Sequence, residues 1–290
     1  MKYGIREICD VVLKAKTAVT IGSKPFAEGA PVIYFDSLKT STMEGAATTV
    51  YAQGGRGNSR LVAWEGERTV TFTMEDALIS ELGLAVLTGA GIVEDSTNGL
   101  KVHTTARYAK ATTNEYAVEE KVIYGTGKQD TTYPIYAIEL DKNDNVLVTD
   151  SAKVTYESGK LKYTATDPKC EAVMFDFYVT KKGAKQIEIT ADKFAGNYYL
   201  EASTLFRSAD GVDHPAEFVI PNCKIQSNFT FTMASSGDPS TFTFTMDAFP
   251  DYTKFDKSKK VFCAIQIIDE TAPIVDKEVD DPTDDTDLGN

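Results

Sequence analysis

The chain has 290 residues, 42% hydrophobic and 10% aromatic, with a formal net charge of −13. That length accommodates one large β domain or two smaller ones with real cores, and no apolar run approaches the roughly eighteen residues of a membrane span. The charge is uneven: nine of the 43 carboxylates fall between Asp269 and Asn290, against Lys277 alone. Residues 269–290 are therefore expected to form an acidic, disordered tail.

Along the chain, Met1–Glu7 has no basic region followed by an apolar core, so no secretory signal is expected and the chain is read as made in a cytoplasm. Ile5, Ile8, Cys9, Val12 and Leu13 fall at helical spacing, which predicts a helix over residues 5–16. Pro31–Phe35 reads as a strand. Residues 37–49, rich in Ser, Thr, Gly and Ala, read as a loop or arm that orders only on assembly. Thr48–Gln53 begins the next strand, and Gly54-Gly55-Arg56-Gly57-Asn58 is a loop. Leu61–Trp64 follows, and Glu65-Gly66-Glu67 reads as a turn into Val70–Met74.

The tetrapeptide Thr-Phe-Thr-Met occurs three times, at Thr71–Met74, Thr230–Met233 and Thr243–Met246. Its period of two places Phe and Met on one face and Thr on the other, a half-buried strand with a hydroxyl-bearing outer face. After the first copy the period changes. Thr73 followed by acidic residues reads as an N-cap, Ala77, Leu78, Leu82, Ala85 and Val86 as a helical face, and Gly89 and Gly91 as its close.

Leu100–Tyr108 is a strand, and from Glu115 to Lys185 short alternating runs separated by turns suggest an inserted immunoglobulin-like β-sandwich. Residues 186–190 and 198–206 are strands again. The second and third Thr-Phe-Thr-Met copies, joined by a Gly-Asp-Pro turn, read as a hairpin. Residues 261–268 read as a buried strand.

Few groups invite chemistry. The loop at 54–58 lacks the Lys-Ser/Thr of a phosphate-binding loop and opens no helix. Asp141–Asn145 lacks the glycine and closing Glu of a calcium loop, so a polar turn is the better reading. Asn228-Phe229-Thr230 is a formal glycosylation sequon only. Cys9, Cys170, Cys223 and Cys263 lie far apart and read as isolated thiols. Two histidines, His103 and His214, are a poor basis for a metal site. No cofactor and no enzymatic activity are expected. No basic patch stands out, which disfavours tight binding to nucleic-acid backbone.

The order Pro31–Phe35, Gln53–Asn58, Leu61–Gly66 and Thr69–Met74 running into Asp76–Ser80, then Ile220–Lys224 and the Gly237–Pro239 turn, resembles the tail tube proteins of tailed bacteriophages and contractile injection systems. The resemblance covers about residues 20–110 and 185–268. It implies a mainly β fold, a tail-tube β-barrel or sandwich with one flanking helix. The chain departs from the shortest members of that family by the insert at 115–185, which divides the tube domain into 1–114 and 186–268, and by the acidic tail after 268. It implies hexameric rings stacked into a tube, a virion tail location, and tape-measure protein and passing DNA in the lumen without tight binding, with a tail sheath protein as a further partner. The bottom-up reading agrees: a conduit for DNA needs a wall that does not hold phosphate, and ring closure pairs edge strands that endanger a monomer.

Two other readings compete. A capsid decoration or fibre-base protein also suits a sandwich and an acidic tail. A carbohydrate-binding module fits less well, because Trp64 is the only tryptophan and its strand pattern reads as core or subunit interface. The residues assigned to subunit or ring contacts are Ile5, Ile8, Val12, Ser41, Met43, Gly45, Gly54, Gly55, Arg56, Asn58 and Trp64.

Overall fold

A computed structural model describes residues 2–126, 128–230, 232–233, 235–236 and 240–269, so the acidic tail beyond Asp269 lies outside the described residues. The chain divides into two compact units, Met1–Gly91 with Ile189–Asn290, and Ile92–Glu188. The elements up to the single described helix are β1 (Tyr3–Ile5), β2 (Asp10–Ala15), β3 (Val19–Ile21), β4 (Lys24–Phe26), β5 (Pro31–Phe35), β6 (Leu38–Gly54), β7 (Ser59–Asp76) and α1 (Glu81–Thr88). Next come β8 (Gly91–Glu94), β9 (Leu100–Ala109), β10 (Glu115–Ala117), β11 (Tyr136–Leu140), β12 (Val146–Asp150), β13 (Thr155–Glu157), β14 (Lys160–Lys162), β15 (Ala172–Lys181) and β16 (Lys185–Glu188). The chain ends with β17 (Asn197–Ser208), β18 (Asp213–Ile225), β19 (Phe242–Ala248) and β20 (Ala264–Ile267). The protein is mainly β.

In the first unit nine strands form one sheet in the order β5-β2-β17-β18-β19-β7-β6, with β1 also on β17 and β20 also on β18. The expected barrel is not closed: β5 and β6, consecutive in the chain, are the two edges of the sheet rather than partners. One face of the sheet is core. Val11, Leu13, Leu200, Ala202, Ile220, Phe72, Met74, Phe244 and Met246 are each at most 2% exposed. Full burial of one such Phe or Met contributes about 2–3 kcal/mol.

The first and third Thr-Phe-Thr-Met copies are neighbours, with Phe244 opposite Met74 and Met246 opposite Phe72. This corrects the expected hairpin of the second and third copies. Thr230, Thr232 and Met233 lie in no strand, while Phe231 and the turn at 237–239 fall outside the described residues. The N-terminal helix is also corrected: residues 10–15 form β2, with Val11, Leu13 and Ala15 buried at period two and held between β17 and β5. The final strand is shorter than expected, and its Ile265 and Ile267 are 51% and 43% exposed.

The helix starts later than the sequence suggests. β7 runs on to Asp76, so Thr73 is a strand residue; the N-cap is Ser80, whose Oγ accepts from Gly83 N at 2.9 Å. Gly89 closes the helix at φ 68°, where a Cβ would stand 2.3 Å from the Phe194 carbonyl carbon. Ser80→Ala is expected to cost about 1 kcal/mol, read as a lower denaturation midpoint at unchanged slope.

In the second unit a four-stranded sheet, β12-β11-β15-β9, and a three-stranded one, β10-β14-β13, accompany one core. Leu161, Tyr163, Val173, Phe175 and Phe177 lie at its centre. Beside it sits an unusual group, Glu139 of β11, which is fully buried. Its Oε1 accepts from the Tyr163 hydroxyl at 2.8 Å, Thr166 N at 2.8 Å and Thr166 Oγ1 at 2.9 Å, and Oε2 from Asp167 N at 2.8 Å. Burial pushes this carboxyl up, but the four donors outweigh it and hold it below its usual value.

Candidate assembly surface

Two surfaces of the first unit stand out, a projecting ribbon and the outer face of the nine-stranded sheet. The ribbon is β6 and β7, paired from Leu38 opposite Asp76 to Gly54 opposite Ser59. Its root is anchored by Leu38, Phe72 and Met74, but residues 42–51 and 59–69 are exposed throughout. The loop expected at 37–49 is thus strand, and Glu65-Gly66-Glu67 is no turn. The register shifts between Ala47 and Thr49, and a Cβ on Gly66 would meet Thr48 Oγ1 at 2.5 Å, so a bulge sits at that point.

The distal ribbon is apolar and cationic. Val50 lies opposite Trp64 and Ala52 opposite Val62 on one face, and Val50, Trp64 and Val62 are 62%, 55% and 49% exposed. On the other face the Arg60 guanidinium stacks 4.0 Å over the Tyr51 ring. Between Gly45 and Trp64 there is no carboxylate, and Arg56 and Arg60 are the charged residues. The tip turns through Gly55 at φ 80° and Gly57 at φ 85°, where no Cβ is tolerated without strain, and Asn58 N bonds the Gly55 carbonyl at 3.2 Å. Such exposed apolar pairs on a two-stranded ribbon mark an interaction surface.

Of the residues assigned from sequence, Ser41, Met43, Gly45, Gly54, Gly55, Arg56, Asn58 and Trp64 all fall on this ribbon. Ser41 is at its root, its Oγ accepting from Cys9 N at 3.1 Å, and Met43 faces Phe72. Trp64 is exposed, which removes the core reading for it. Ile5 and Ile8 are exposed near β1, away from the ribbon tip, and Val12 points to the outer face of the sheet, between Tyr34 and Glu201.

That outer face is the second surface. Register places Asp10, Val12 and Lys14 of β2 beside Tyr34 of β5 and Glu201 and Ser203 of β17, with Glu217 of β18 next to Ser203. It continues through Lys224 and Asp247 to Thr245, Thr243, Thr71, Thr73 and Glu75, and on to Thr42 and Glu44. The hydroxyls of both paired Thr-Phe-Thr-Met copies therefore lie side by side. The negative field is visible in the groups themselves. Asp10, then burial and Asp36, push the Tyr34 phenol up, while burial and Glu201 push the Glu217 carboxyl up against the opposing pull of Lys14. Lys14 is ion-paired with Glu201. Sequence reasoning found the Thr face but missed Asp10, Tyr34, Glu201 and Glu217; the signal was the alternation of Asp10, Val12 and Lys14, masked by the helical reading.

A sheet with one buried face, a polar outer face and an exposed two-stranded ribbon defines a β protein with surfaces suited to association. The YomU/Tube protein family model matches residues 5–262, and the chain belongs to that family, a family of phage tube proteins. No curated protein matches it.

Proposed function

We propose that the chain assembles as hexameric rings that stack into the phage tail tube, a conduit for genome delivery. The outer face of the nine-stranded sheet lines the channel and the β6–β7 ribbon carries contacts between subunits. The observation behind this is the run of hydroxyls and carboxylates from Asp10 to Glu44 on the face opposite the core, in which Lys14 is ion-paired with Glu201 and Lys224 stands opposite Asp247. Duplex DNA slides past such a wall because carboxylates repel phosphate and threonines offer no cation to hold it. The tape-measure protein occupies the same lumen, a sheath protein belongs outside, and residues 115–185, within the second unit, are an immunoglobulin-like insert. Support for the insert is its own core between two small sheets.

Cryo-electron microscopy of the purified protein tests the architecture: six-fold stacked rings are expected, and a persistent monomer absent from particles refutes it. The wall has its own test. Thr73→Lys with Thr245→Lys is expected to leave tube formation intact and to make assembled tubes retain a short duplex DNA at low salt. Tubes that still ignore DNA place another face in the channel.

A further inference from the structure

The outer face is not uniformly acidic. At one end a groove of about 820 Å³ is lined by Lys2, Arg6, Glu7, Leu205, Arg207 and Asp213. Asp213 is already engaged by Arg207, at 2.6 and 2.7 Å, whereas Lys2 and Arg6 make no ion pair with any described residue. With Lys2, Arg6 and Arg207 against the carboxylates of Glu7 and Asp213, this corner is net positive in a wall otherwise suited to repel DNA.

The described chain ends beside this corner. Ile268 N bonds the Pro215 carbonyl at 2.8 Å, next to the β17–β18 turn, and β20 lies on β18 while β1, which carries the groove, lies on β17. Three strand spacings separate them, about 14 Å. The seven residue steps from Asp269 to Asp276 can reach at most about 23 Å. The segment that follows, Asp276–Asp287, holds seven carboxylates and one lysine.

From this geometry and charge complementarity we propose that the acidic segment 276–287 docks in the Lys2–Arg6–Arg207 groove of its own subunit. It supplies the carboxylates those cations lack and covers the basic corner. The consequence for DNA passage rests on the wall reading above; the docking itself does not. The contact is electrostatic and lies at an exposed surface, so it weakens with salt.

Zero-length carbodiimide cross-linking of the full chain, read on the monomer by peptide mass spectrometry, tests it. At low salt the Lys2 amine is expected to join carboxylates of 276–287 within one chain. The yield should be at least fivefold above that of Lys254, Lys257, Lys259 or Lys260, and should drop at least fivefold in 1 M salt. Arg6→Gln, an exposed change that leaves the fold intact, should also lower the Lys2 yield severalfold. Even cross-linking across these lysines, links found only between subunits, or indifference to both salt and Arg6→Gln overturns the proposal. Because the readout is taken on monomers, its failure leaves the tube reading standing, and failure to form tubes leaves this contact standing.

Discussion

Replacing residues 48–67 with Asn-Gly is expected to give a folded, soluble subunit that forms no tubes at any accessible concentration. Ala47 and Arg68 are directly paired, so a two-residue turn closes the shortened hairpin without disturbing its root. The removed segment is exposed apart from the half-buried Ala52 and Gly54, and its loss should change unfolding free energy by no more than about 0.5 kcal/mol. What disappears is the exposed pair Val50 and Trp64 with Val62 beside it. A graded version makes the same point. Val50→Glu with Trp64→Glu forfeits about 4 kcal/mol of apolar burial per contact, which raises the critical concentration for assembly roughly a thousandfold. Negative-stain imaging and sedimentation read both. Normal tubes from the ribbonless chain would move assembly to another surface.

The ribbon also shows where a sequence stops being readable. Residues 37–49 carry no hydrophobic period because neither face of that strand is buried in the isolated subunit. Beyond Leu38 nothing alternates, and the small residues Gly45, Ala46 and Ala47 resemble a loop. Its strand state comes from the ladder to β7, a tertiary fact. Residues 5–16 failed in the opposite way. Ile5, Ile8, Cys9, Val12 and Leu13 satisfy a helical period, but Val11, Leu13 and Ala15 satisfy a period of two, and pairing with β17 and β5 decides between them.

The Thr-Phe-Thr-Met repeat was legible as strand and as a two-faced one, since Phe and Met of both paired copies are buried and their Thr residues lie outward. Three copies of one pattern do not say which two are partners, however. Proximity and a Gly-Asp-Pro turn favoured the later two, while β7 and β19 are joined across more than 160 residues of chain. The tip at Gly54–Asn58 was readable because its glycines answer a local backbone demand. Cap placement was not: Thr73 and Ser80 both offer a hydroxyl directly ahead of a stretch that could begin the helix, and only the continuation of β7 removes the first.

Glu139 offers the other large effect, confined to the second unit. The alternation of β11 already places Glu139 on the face of Ala137, which is fully buried, yet nothing in the sequence shows the four donors that meet it. Glu139→Ala leaves the Tyr163 hydroxyl, both Thr166 donors and Asp167 N unpaired in the interior, for an expected loss of about 3–5 kcal/mol. Glu139→Gln keeps the shape but points an amide donor at one of these donors, for about 2 kcal/mol. Trp64 lies in the other unit, so the readout is hydrogen exchange across Val173–Val179 rather than tryptophan emission. The pH dependence carries a definite sign. The folded carboxyl titrates below its ordinary value, so its contribution is complete above the unfolded pKa and is lost as pH falls through the folded one. The gap between the parent chain and Glu139→Gln should therefore be widest near pH 7 and close in strong acid, because the amide does not titrate. A gap independent of pH would mean that the buried group acts through its shape and not its charge.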